Sequence, residues 1–558
     1  MILGALLLPL LGRAWAARGG LVLTVLSLFH FLSFDWDASS DLVLLGQSLQ
    51  WIRIDSLSWP FLLVFHIAAI VAAIYALHVD DVKQHVAAVT YAGAAIAAAA
   101  TGDLISLFVC WELTAITSVF LVWARRGEAA YRSGLRYLII QVASGVLLLS
   151  GAILQYNDSG SLAFGSFLSG GSPTRGGWLV LASFGIKAAF PLLHNWLQDA
   201  YPKATVTGTV FLSAFTTKLA IYALARGFRG FEALIEIGCV MTLFPIVFAV
   251  IENDLRKVLA YSLNNQLGFM VVGIGIGTEL AINGTVAHAF CHILYKSLLF
   301  MSMGAVLYRV GTTQATRLGG LHRSMPWTTT FCIIGAGAIS GFPLLSGFVS
   351  KSMIITAAAE EHYFWPWVIL LIASAGVMEH SGIKIPFFAF FSHDAGHRVQ
   401  EAPRNMLVAM GIAAFFCVIL GVYYPMLYKL LPNKDFDYHP FTSPHVINQL
   451  QLLMFATLAF VVLKKTGLYP AEKESINVDS DIVYRRWLPK FNRGVGHLVA
   501  VGDKAMRQDA LLILNDFAVA LSRRFAGDGL LGRTWSSSTM TAWATVLLAA
   551  CLALYYLA

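Results

Sequence analysis

Long apolar runs separated by short polar stretches fill most of the chain. A helix needs about 20 apolar residues to cross a hydrocarbon core of about 30 Å, and many of the runs approach or exceed that length. Backbone polar groups find no water partner in lipid, so we expect these runs to be helical. The pattern predicts about 14–16 membrane-spanning helices. The predicted spans are 2–16, 20–34, 58–78, 85–101, 103–123, 133–155, 178–200, 205–226, 231–252, 255–277, 283–308, 328–358, 364–391, 405–429, 447–463 and 540–557.

Composition favours an all-α integral membrane protein and excludes the soluble globular class. Of the 558 residues, 58% are hydrophobic and 12% are charged, whereas soluble domains carry about 25% charged residues. A formal net charge of +7 is typical of nucleic-acid binding, but excess Lys and Arg in cytoplasmic loops explains it more simply. We expect contact with a lipid bilayer and no nucleic-acid partner.

Basic residues are distributed unevenly between the predicted loops. Loops after odd-numbered spans are rich in base, as at Arg125 and Arg126, whereas an even-numbered loop holds Asp35 and Asp37. Base-rich loops face the cytoplasm. The pattern therefore predicts a multi-pass protein with its N-terminus outside. The expected location is the bacterial inner membrane. An apolar stretch followed by Ala14–Ala16 resembles a signal peptide, but it lacks a basic leader, so we expect a retained helix.

The C-terminal part of the chain has a different pattern. It is polar and basic from residue 464, and from Val499 to Phe525 apolar positions alternate with Lys504, Arg507 and other basic residues. This pattern predicts a lateral amphipathic helix in the cytoplasmic interface. A solvated linker is the alternative.

Ionisable residues lie inside several predicted spans. A charge near the bilayer centre costs at least about 2.5 kcal/mol, so such residues are functional candidates. Helix-end side chains that reach the headgroups are the alternative, which we expect for Lys203 and Lys257. Three of the others, at spacing i, i+4 and i+8, share one helix face. The candidate site residues are Glu112, Lys187, Lys218, His288, His292, Lys296, Lys351 and Lys384.

These residue types suit proton transfer because each can gain and lose a proton in place. Burial disfavours charged lysine and a nearby carboxylate favours it, while histidine titrates near neutral pH. A Glu112–Lys187 pair can therefore act as a switch. Pro191 follows Lys187, and Gly347 precedes Lys351. Such residues interrupt helices, and helices broken at membrane depth line cavities.

Two lysine pairs have nearly equal spacing. Lys218 lies 31 residues after Lys187, and Lys384 lies 33 residues after Lys351. The pairs are five predicted spans apart, so their orientations are opposite, as in inverted repeats. The predicted divisions are N-terminal helices 1–84, a five-helix half-channel 85–226, an inverted five-helix half-channel 231–391, additional helices 405–465, a linker with the amphipathic helix 466–538, and a final span 539–558.

Several motifs resemble the antiporter-like subunits of respiratory complex I, Mrp-type cation/proton antiporters and membrane-bound hydrogenases. The resemblance covers about 50–425, and it implies about fourteen core helices with two inverted five-helix bundles and broken helices. The motifs are Trp111-Glu112-Leu113, Gly185 through Leu197, Asp254 through Ser262, His288 through Leu299, and Ser346 through Lys351. By these motifs the resemblance implies Glu112 paired with Lys187, Lys218 as a connecting lysine, Lys296 with His288 and His292 as a central relay, and Lys351 as a terminal lysine.

The predicted function is that of a proton-translocating subunit of a multisubunit cation (Na⁺)/proton antiporter, most similar to the D-type component of Mrp antiporters. Expected partners are other membrane subunits and protons, with Na⁺ as a second candidate ion. One alternative is a proton-pumping subunit of complex I or of a membrane-bound hydrogenase, and the tail beyond 430 resembles the distal complex I subunit. Another is the membrane coupling subunit of a bicarbonate uptake complex. No motif locates redox or hydrolytic chemistry, and scattered cysteines predict no metal or cofactor.

Overall fold

A computed structural model describes residues 1–44, 46–474, 477–529, 531–532 and 534–557. The chain forms two compact units, Met1–Asn477 and Val478–Ala558. The predicted segments 1–84, 466–538 and 539–558 contain residues 45, 475, 476, 530, 533 and 558, which lie outside the described residues.

Helices dominate the first unit, as the apolar runs predict. Among the described residues, eleven helical stretches in the whole chain are long and apolar enough to cross a membrane. The all-α multi-pass membrane class is thereby confirmed. The helices of the first unit are α1 (Ile2–Leu7), α2 (Arg13–Leu32), α3 (Ser58–Tyr75), α4 (Val82–Ala100), α5 (Leu104–Trp123), α6 (Glu128–Ser159), α7 (Arg175–Lys187), α8 (Asn195–Ala200), α9 (Val206–Ala214), α10 (Thr216–Gly227), α11 (Ala233–Ile251), α12 (Leu255–Ile276), α13 (Glu279–Val310), α14 (Pro326–Ser340), α15 (Ser346–Glu360), α16 (Phe364–Val377), α17 (Lys384–Pro386), α18 (Arg404–Val422), α19 (Pro425–Tyr428) and α20 (Ser443–Thr466).

Two short antiparallel hairpins, which the sequence did not predict, lie in connections between helices. β1 (Ser39–Leu44) pairs with β2 (Gln47–Arg53), and β3 (Leu168–Ser169) pairs with β4 (Ser172–Pro173). The turn of the second hairpin contains two glycines with positive φ, a conformation that glycine adopts without steric cost.

The eleven stretches are fewer than the predicted spans because some spans are broken, and because α4 and α12, although continuous, are less apolar than the others. The span predicted at 178–200 divides into α7 and α8, and the span at 328–358 divides into α14 and α15. Gly341 ends α14 with φ 75°, and Pro343 follows it. A third break, between α9 and α10, falls at Phe215. The stretch after α16 winds as a π-helix over Met378–Ile383.

The breaks recur at matching positions in two successive groups of five spans. In the first group, α4, α5 and α6 precede the broken spans α7–α8 and α9–α10. In the second group, α11, α12 and α13 precede the broken span α14–α15 and the π-wound span α16–α17. This order agrees with broken helices in two repeats. The boundaries of the half-channels stay predictions.

The second unit contains two long helices. They are α21 (Leu488–Phe525), which has 38 residues, and α22 (Ser537–Leu557). The predicted amphipathic stretch lies within α21, which begins earlier than Val499. Within it Arg507 pairs with Asp503, one turn before it, at 2.9 Å.

Candidate functional site

Glu112 lies in the middle of α5 and faces α6. Its Oε1 atom is buried and has no hydrogen-bond partner among the described residues. A Cβ atom added to Gly145 of α6 would overlap that oxygen. The carboxylate therefore rests directly against the α6 backbone, in space that only the absence of a side chain at Gly145 leaves open.

Lys187, the last residue of α7, reaches the same turn of α5. Its fully buried ammonium donates to the Trp111 carbonyl oxygen at 2.7 Å and to Thr114 Oγ1 at 2.8 Å. It also lies 4.2 Å from the centre of the Trp111 ring. Glu112 lies within electrostatic range but takes no direct hydrogen bond from Lys187. The two predicted partners are thus neighbours, but Lys187 binds other groups of α5 and not the Glu112 carboxylate.

A small polar network fixes the Trp111 ring under the ammonium. Trp111 Nε1 donates to Ser144 Oγ at 3.0 Å, and Ser144 Oγ donates to the Ser183 carbonyl oxygen at 2.9 Å. These bonds join α5, α6 and α7. Buried hydrogen bonds of this kind hold a side chain in one orientation, because an unsatisfied N–H is costly to bury.

Three of the predicted lysines bind the carbonyl end of a helix. In each case the ammonium donates to the oxygen of the helix's next-to-last residue: Lys218 to Ser213 of α9 at 2.5 Å, Lys351 to Ile339 of α14 at 3.0 Å, and Lys384 to Val250 of α11 at 2.5 Å. The last carbonyl groups of a helix lack intrahelical partners and carry partial negative charge. A buried ammonium is therefore stabilised at these ends. Lys218 and Lys351 make no ion pair with a carboxylate among the described residues, whereas Lys384 also pairs with Glu472.

The predicted histidine–lysine face of α13 lies at the centre of the first unit. His288 Nδ1 is 3.1 Å from Ser350 Oγ, beside Lys351. The His288 and His292 ring centres are 6.1 Å apart. Both ring nitrogens of His292 and the ammonium of Lys296 are buried and have no hydrogen-bond partner among the described residues. Such groups are ordinarily satisfied by buried water.

The buried lysine and histidine side chains around α13 lie within electrostatic range of one another in successive pairs, and we call this set the central row. Lys218 and Lys351 both lie within range of His292, and Lys218 lies within range of Lys296. His380, on the π-wound stretch, lies within range of Lys296 and Lys384. The structure thus brings together all the predicted residues of the second half with Lys218, while Glu112 and Lys187 form a separate group.

Several buried polar groups lie outside the list of predicted site residues, although the sequence marks His380 as an ionisable residue in an apolar run. His380 Nδ1 lies 2.9 Å from Ser381 Oγ, which donates to Ser262 at 2.7 Å. The Asn264 amide is fully buried and has no hydrogen-bond partner within the described chain. Asn264 interrupts an apolar span and could have been found by extending the search from charged to all polar residues. Glu472, which pairs with Lys384 at 3.0 Å, lies in a polar stretch and carries no such signal.

A cavity of about 610 Å³ opens beside Lys351. It lies between α15, α16 and α20, and its polar lining includes His445 and Gln449. A water molecule occupies about 30 Å³. The cavity is therefore large enough to hold several waters next to this lysine.

Known proteins resemble the chain in both sequence and fold. The family described as NADH:quinone oxidoreductase/Mrp antiporter matches residues 101–376. Hydrogenase-4 component B of Escherichia coli is 27% identical over 416 residues, which are 66% of this chain and 62% of that protein. The D-type component of the Na(+)/H(+) antiporter of Alkalihalophilus pseudofirmus is 32% identical over 319 residues, 54% of this chain and 64% of that protein.

The chain thus spans less than two thirds of the length of either relative. Among solved structures, a chain of the Mrp complex from Dietzia sp. matches with a TM-score of 0.71 at 20% identity. That match covers 83% of this chain and 97% of the other. At this identity the match establishes a shared fold.

Proposed function

Since the chain belongs to the family of antiporter-like membrane subunits shared by Mrp antiporters, complex I and hydrogenases, we propose that it is a proton-translocating subunit of a multisubunit cation/proton antiporter. It would work in the bacterial inner membrane beside other membrane subunits. The whole assembly, rather than this chain alone, would couple proton movement to the movement of a cation such as Na⁺.

The observation that carries this proposal is the buried row around α13. His292 and Lys296 are fully buried and lack hydrogen-bond partners among the described residues. His292 lies within electrostatic range of Lys218 and Lys351, and Lys296 lies within range of Lys218. A purely structural role would leave such groups paired, because an unpaired buried polar group costs folding free energy. Water between them would provide a hydrogen-bonded path along which protons can move.

The chemistry follows from how each lysine is held. A protonated Lys218 is stabilised by the Ser213 carbonyl, and it gives up its proton through water to a neutral His292. His292 passes the proton towards Lys351, whose ammonium the Ile339 carbonyl then stabilises. Repulsion between neighbouring ammonium groups disfavours simultaneous protonation, so a proton arriving at one station favours release at the next.

The Glu112–Lys187 group would serve as the corresponding station of the first half. Lys187 is held by a backbone carbonyl, a threonine hydroxyl and an aromatic face, and Glu112 lies nearby without a direct bond. A small movement of the carboxylate towards the ammonium would form an ion pair and retain the proton on Lys187. Its movement away would favour release. This opening and closing would be the switch of that half.

A subunit of a hydrogenase-type complex is the second candidate. It is favoured by the similarity to Hydrogenase-4 component B, which extends over 416 residues against 319 for the antiporter component. The two functions share the proton path and differ in the partner chains. Affinity purification of the intact complex followed by identification of its subunits separates them, and it equally detects the partners of a complex I or a bicarbonate uptake system.

The test of proton translocation uses everted membrane vesicles that contain the complete complex and a pH-sensitive dye. We expect Lys296→Ala to abolish proton-coupled transport, and the near-isosteric Lys296→Met to do the same, because both remove the titrating group. Lys83→Ala, which alters an exposed lysine, serves as the control. Normal transport by either Lys296 variant at normal abundance would refute the proposed relay.

A further inference from the structure

The segment that follows α20 turns back onto the second half of the first unit. Gly467 ends α20 with φ 73°, which lets the chain reverse. Tyr469 Oη then donates to Glu379 Oε1 at 2.6 Å. Two charged residues further along, Glu472 and Glu474, make ion pairs with α17 and with the loop after α13. We call residues 467–474 the return segment. The sequence predicts that this segment belongs to a linker at the cytoplasmic interface, yet Tyr469 is 6% exposed.

Glu472 reaches into the interior to meet Lys384. Its Oε1 atom lies 3.0 Å from Lys384 Nζ, and the two side chains are 6% and 0% exposed. Lys384 also donates to the carbonyl oxygens of Val250 and Glu252, at 2.5 and 2.8 Å. Lys384 therefore has hydrogen-bond partners at the carbonyl end of α11 in addition to the carboxylate.

The carboxylate of Glu472 is satisfied far less well. Neither of its oxygens accepts a hydrogen bond of good geometry from any described residue. A buried ion pair stabilises a fold only when additional hydrogen bonds satisfy the remaining lone pairs. This ion pair is therefore a weak attachment for the return segment. As a proton acceptor, a buried carboxylate with free lone pairs beside an ammonium is well placed.

Other charged groups surround this pair. Glu379 on the π-wound stretch is held by Tyr469, and Glu252 pairs with Lys257 at 2.6 Å. Lys464 of α20 lies within electrostatic range of Glu472. His380 is fully buried and lies within electrostatic range of both Lys384 and Lys296. Lys384 therefore stands between the central row and the return segment.

We propose that Glu472 is the carboxylate that exchanges a proton with Lys384, so that the return segment forms the outer end of the ion path. In this step an N–H bond of the Lys384 ammonium breaks and an O–H bond forms on Glu472, which leaves a neutral amine and a neutral acid. The acid releases its proton to water, and the amine takes a new proton through His380 from the central row. One proton moves from the central row to the water at the return segment in each cycle.

Release to water is feasible because the surface is one residue away. Ala471 and Lys473, on either side of Glu472, are exposed. The return segment also has its own attachments, since Tyr469 binds Glu379 and Glu474 pairs with Arg317 at 2.7 Å. Glu472 is therefore not needed to hold the segment in place, and its burial against Lys384 has another role.

This inference rests on the proposed function, and the test keeps the two apart. The complete complex in everted vesicles carries Glu472→Gln, with Glu474→Gln as the matched control from the same segment. We expect Glu472→Gln to reduce the initial rate of proton-coupled transport at least about tenfold, the lower range for loss of a proton-transfer group, and Glu474→Gln to retain it. Glu472→Asp, which restores a carboxyl group, should recover transport with a shifted pH profile.

A tether would behave differently. If Glu472 only held the segment, Glu472→Gln would lower thermal stability, and the pH profile of Glu472→Asp would match the parent profile. That result would overturn the inference, as would normal transport by Glu472→Gln in a preparation where Lys296→Ala is inactive. If Lys296→Ala were fully active, the proposed function itself would fail.

Discussion

The Lys187 ammonium lies against Trp111 rather than against the neighbouring carboxylate. It is 2.7 Å from the Trp111 carbonyl oxygen and 4.2 Å from the centre of the indole ring, one residue before Glu112 in the chain. A cation over an aromatic face gains about 0.5–2 kcal/mol. Trp111 therefore provides a resting place for the ammonium next to, but apart from, its carboxylate.

Trp111→Leu removes that resting place. We expect it to lower proton-coupled transport about two- to twenty-five-fold, because a loss of about 0.5–2 kcal/mol shifts an equilibrium about fivefold per kcal/mol. Trp111→Phe keeps an aromatic face and loses only the bond to Ser144, so its transport should fall less. Initial rates in vesicles at matched protein abundance measure both. Equal rates for the two variants would contradict a role for the ring face.

Gly145→Ala places a methyl group where the Glu112 carboxylate lies. The carboxylate ends a flexible side chain, so it should move away while the helices stay packed, and transport should fall about tenfold with little change in melting temperature. Gly411→Ala is the control, because a Cβ there makes an ordinary contact of 3.6 Å with Phe331. Full transport by Gly145→Ala would mean that the position of the carboxylate is unimportant.

Gly347→Ala acts on the fold rather than on the ion path. A Cβ at Gly347 would overlap the Ala338 carbonyl oxygen, which belongs to the backbone of α14 and has no free rotation. The two halves of the broken span would have to separate. We expect a loss of at least about 2 kcal/mol, within the range for overpacking a core, seen as poor assembly or an early thermal transition in detergent. Assembly and melting like those of Gly411→Ala would show that the break is not tightly packed.

Asp55 gives the protein a pH-dependent contribution to stability. It lies before α3 and binds Arg226 at 2.8 Å. Burial alone would raise the pKa of Asp55, but the hydrogen bond and charge of Arg226 outweigh it and lower the pKa below its usual range. The ion pair therefore stabilises the fold at pH values above the unfolded pKa of about 4, and this contribution is lost as the pH falls through the folded value.

The corresponding measurement compares the parent protein with Asp55→Asn. The melting temperature in detergent should be lower for Asp55→Asn at pH 7, and the difference should shrink on acidification below about pH 4. Asp41→Asn, at a hairpin position whose carboxylate makes no ion pair among the described residues, is a suitable control. A difference that stays constant with pH would contradict this contribution of the ion pair and leave Asp55 only its hydrogen bonds from the Leu57 and Ser58 N–H groups.

Much of the fold follows from the sequence because burial in lipid leaves helices as the element for long apolar runs. Prolines and glycines also marked the breaks in α7–α8 and α14–α15. Phe215 carries no such mark, and the break there depends on how α9 and α10 pack against the rest of the unit. A π-wound stretch is likewise a property of packing, which a hydrophobicity pattern does not contain.

The candidate site shows the same division. Charged residues in apolar runs identified Lys218 and Lys384, because their cost of burial is visible in the sequence. What each lysine binds was not visible. The sequence predicted a carboxylate as the partner of Lys187, whereas the structure shows it bound to a backbone carbonyl and a threonine hydroxyl. Three other lysines bind carbonyl groups at helix ends. The pairing of Glu472 with Lys384 could not be predicted from the sequence, because it depends on the reversal of the chain at Gly467.

Because these lysines bind helix ends, their protonation state affects how rigidly the broken helices are held. The ammonium of Lys218 donates a hydrogen bond to the end of α9, and that of Lys351 donates one to the end of α14. A neutral amine is a weaker donor than an ammonium, so each departing proton loosens a hinge and each arriving proton tightens one. Backbone amides near Phe215 and Gly341 should therefore exchange hydrogen faster when these lysines are neutral. The stiffness of the backbone at these two breaks therefore depends on whether the lysines are protonated.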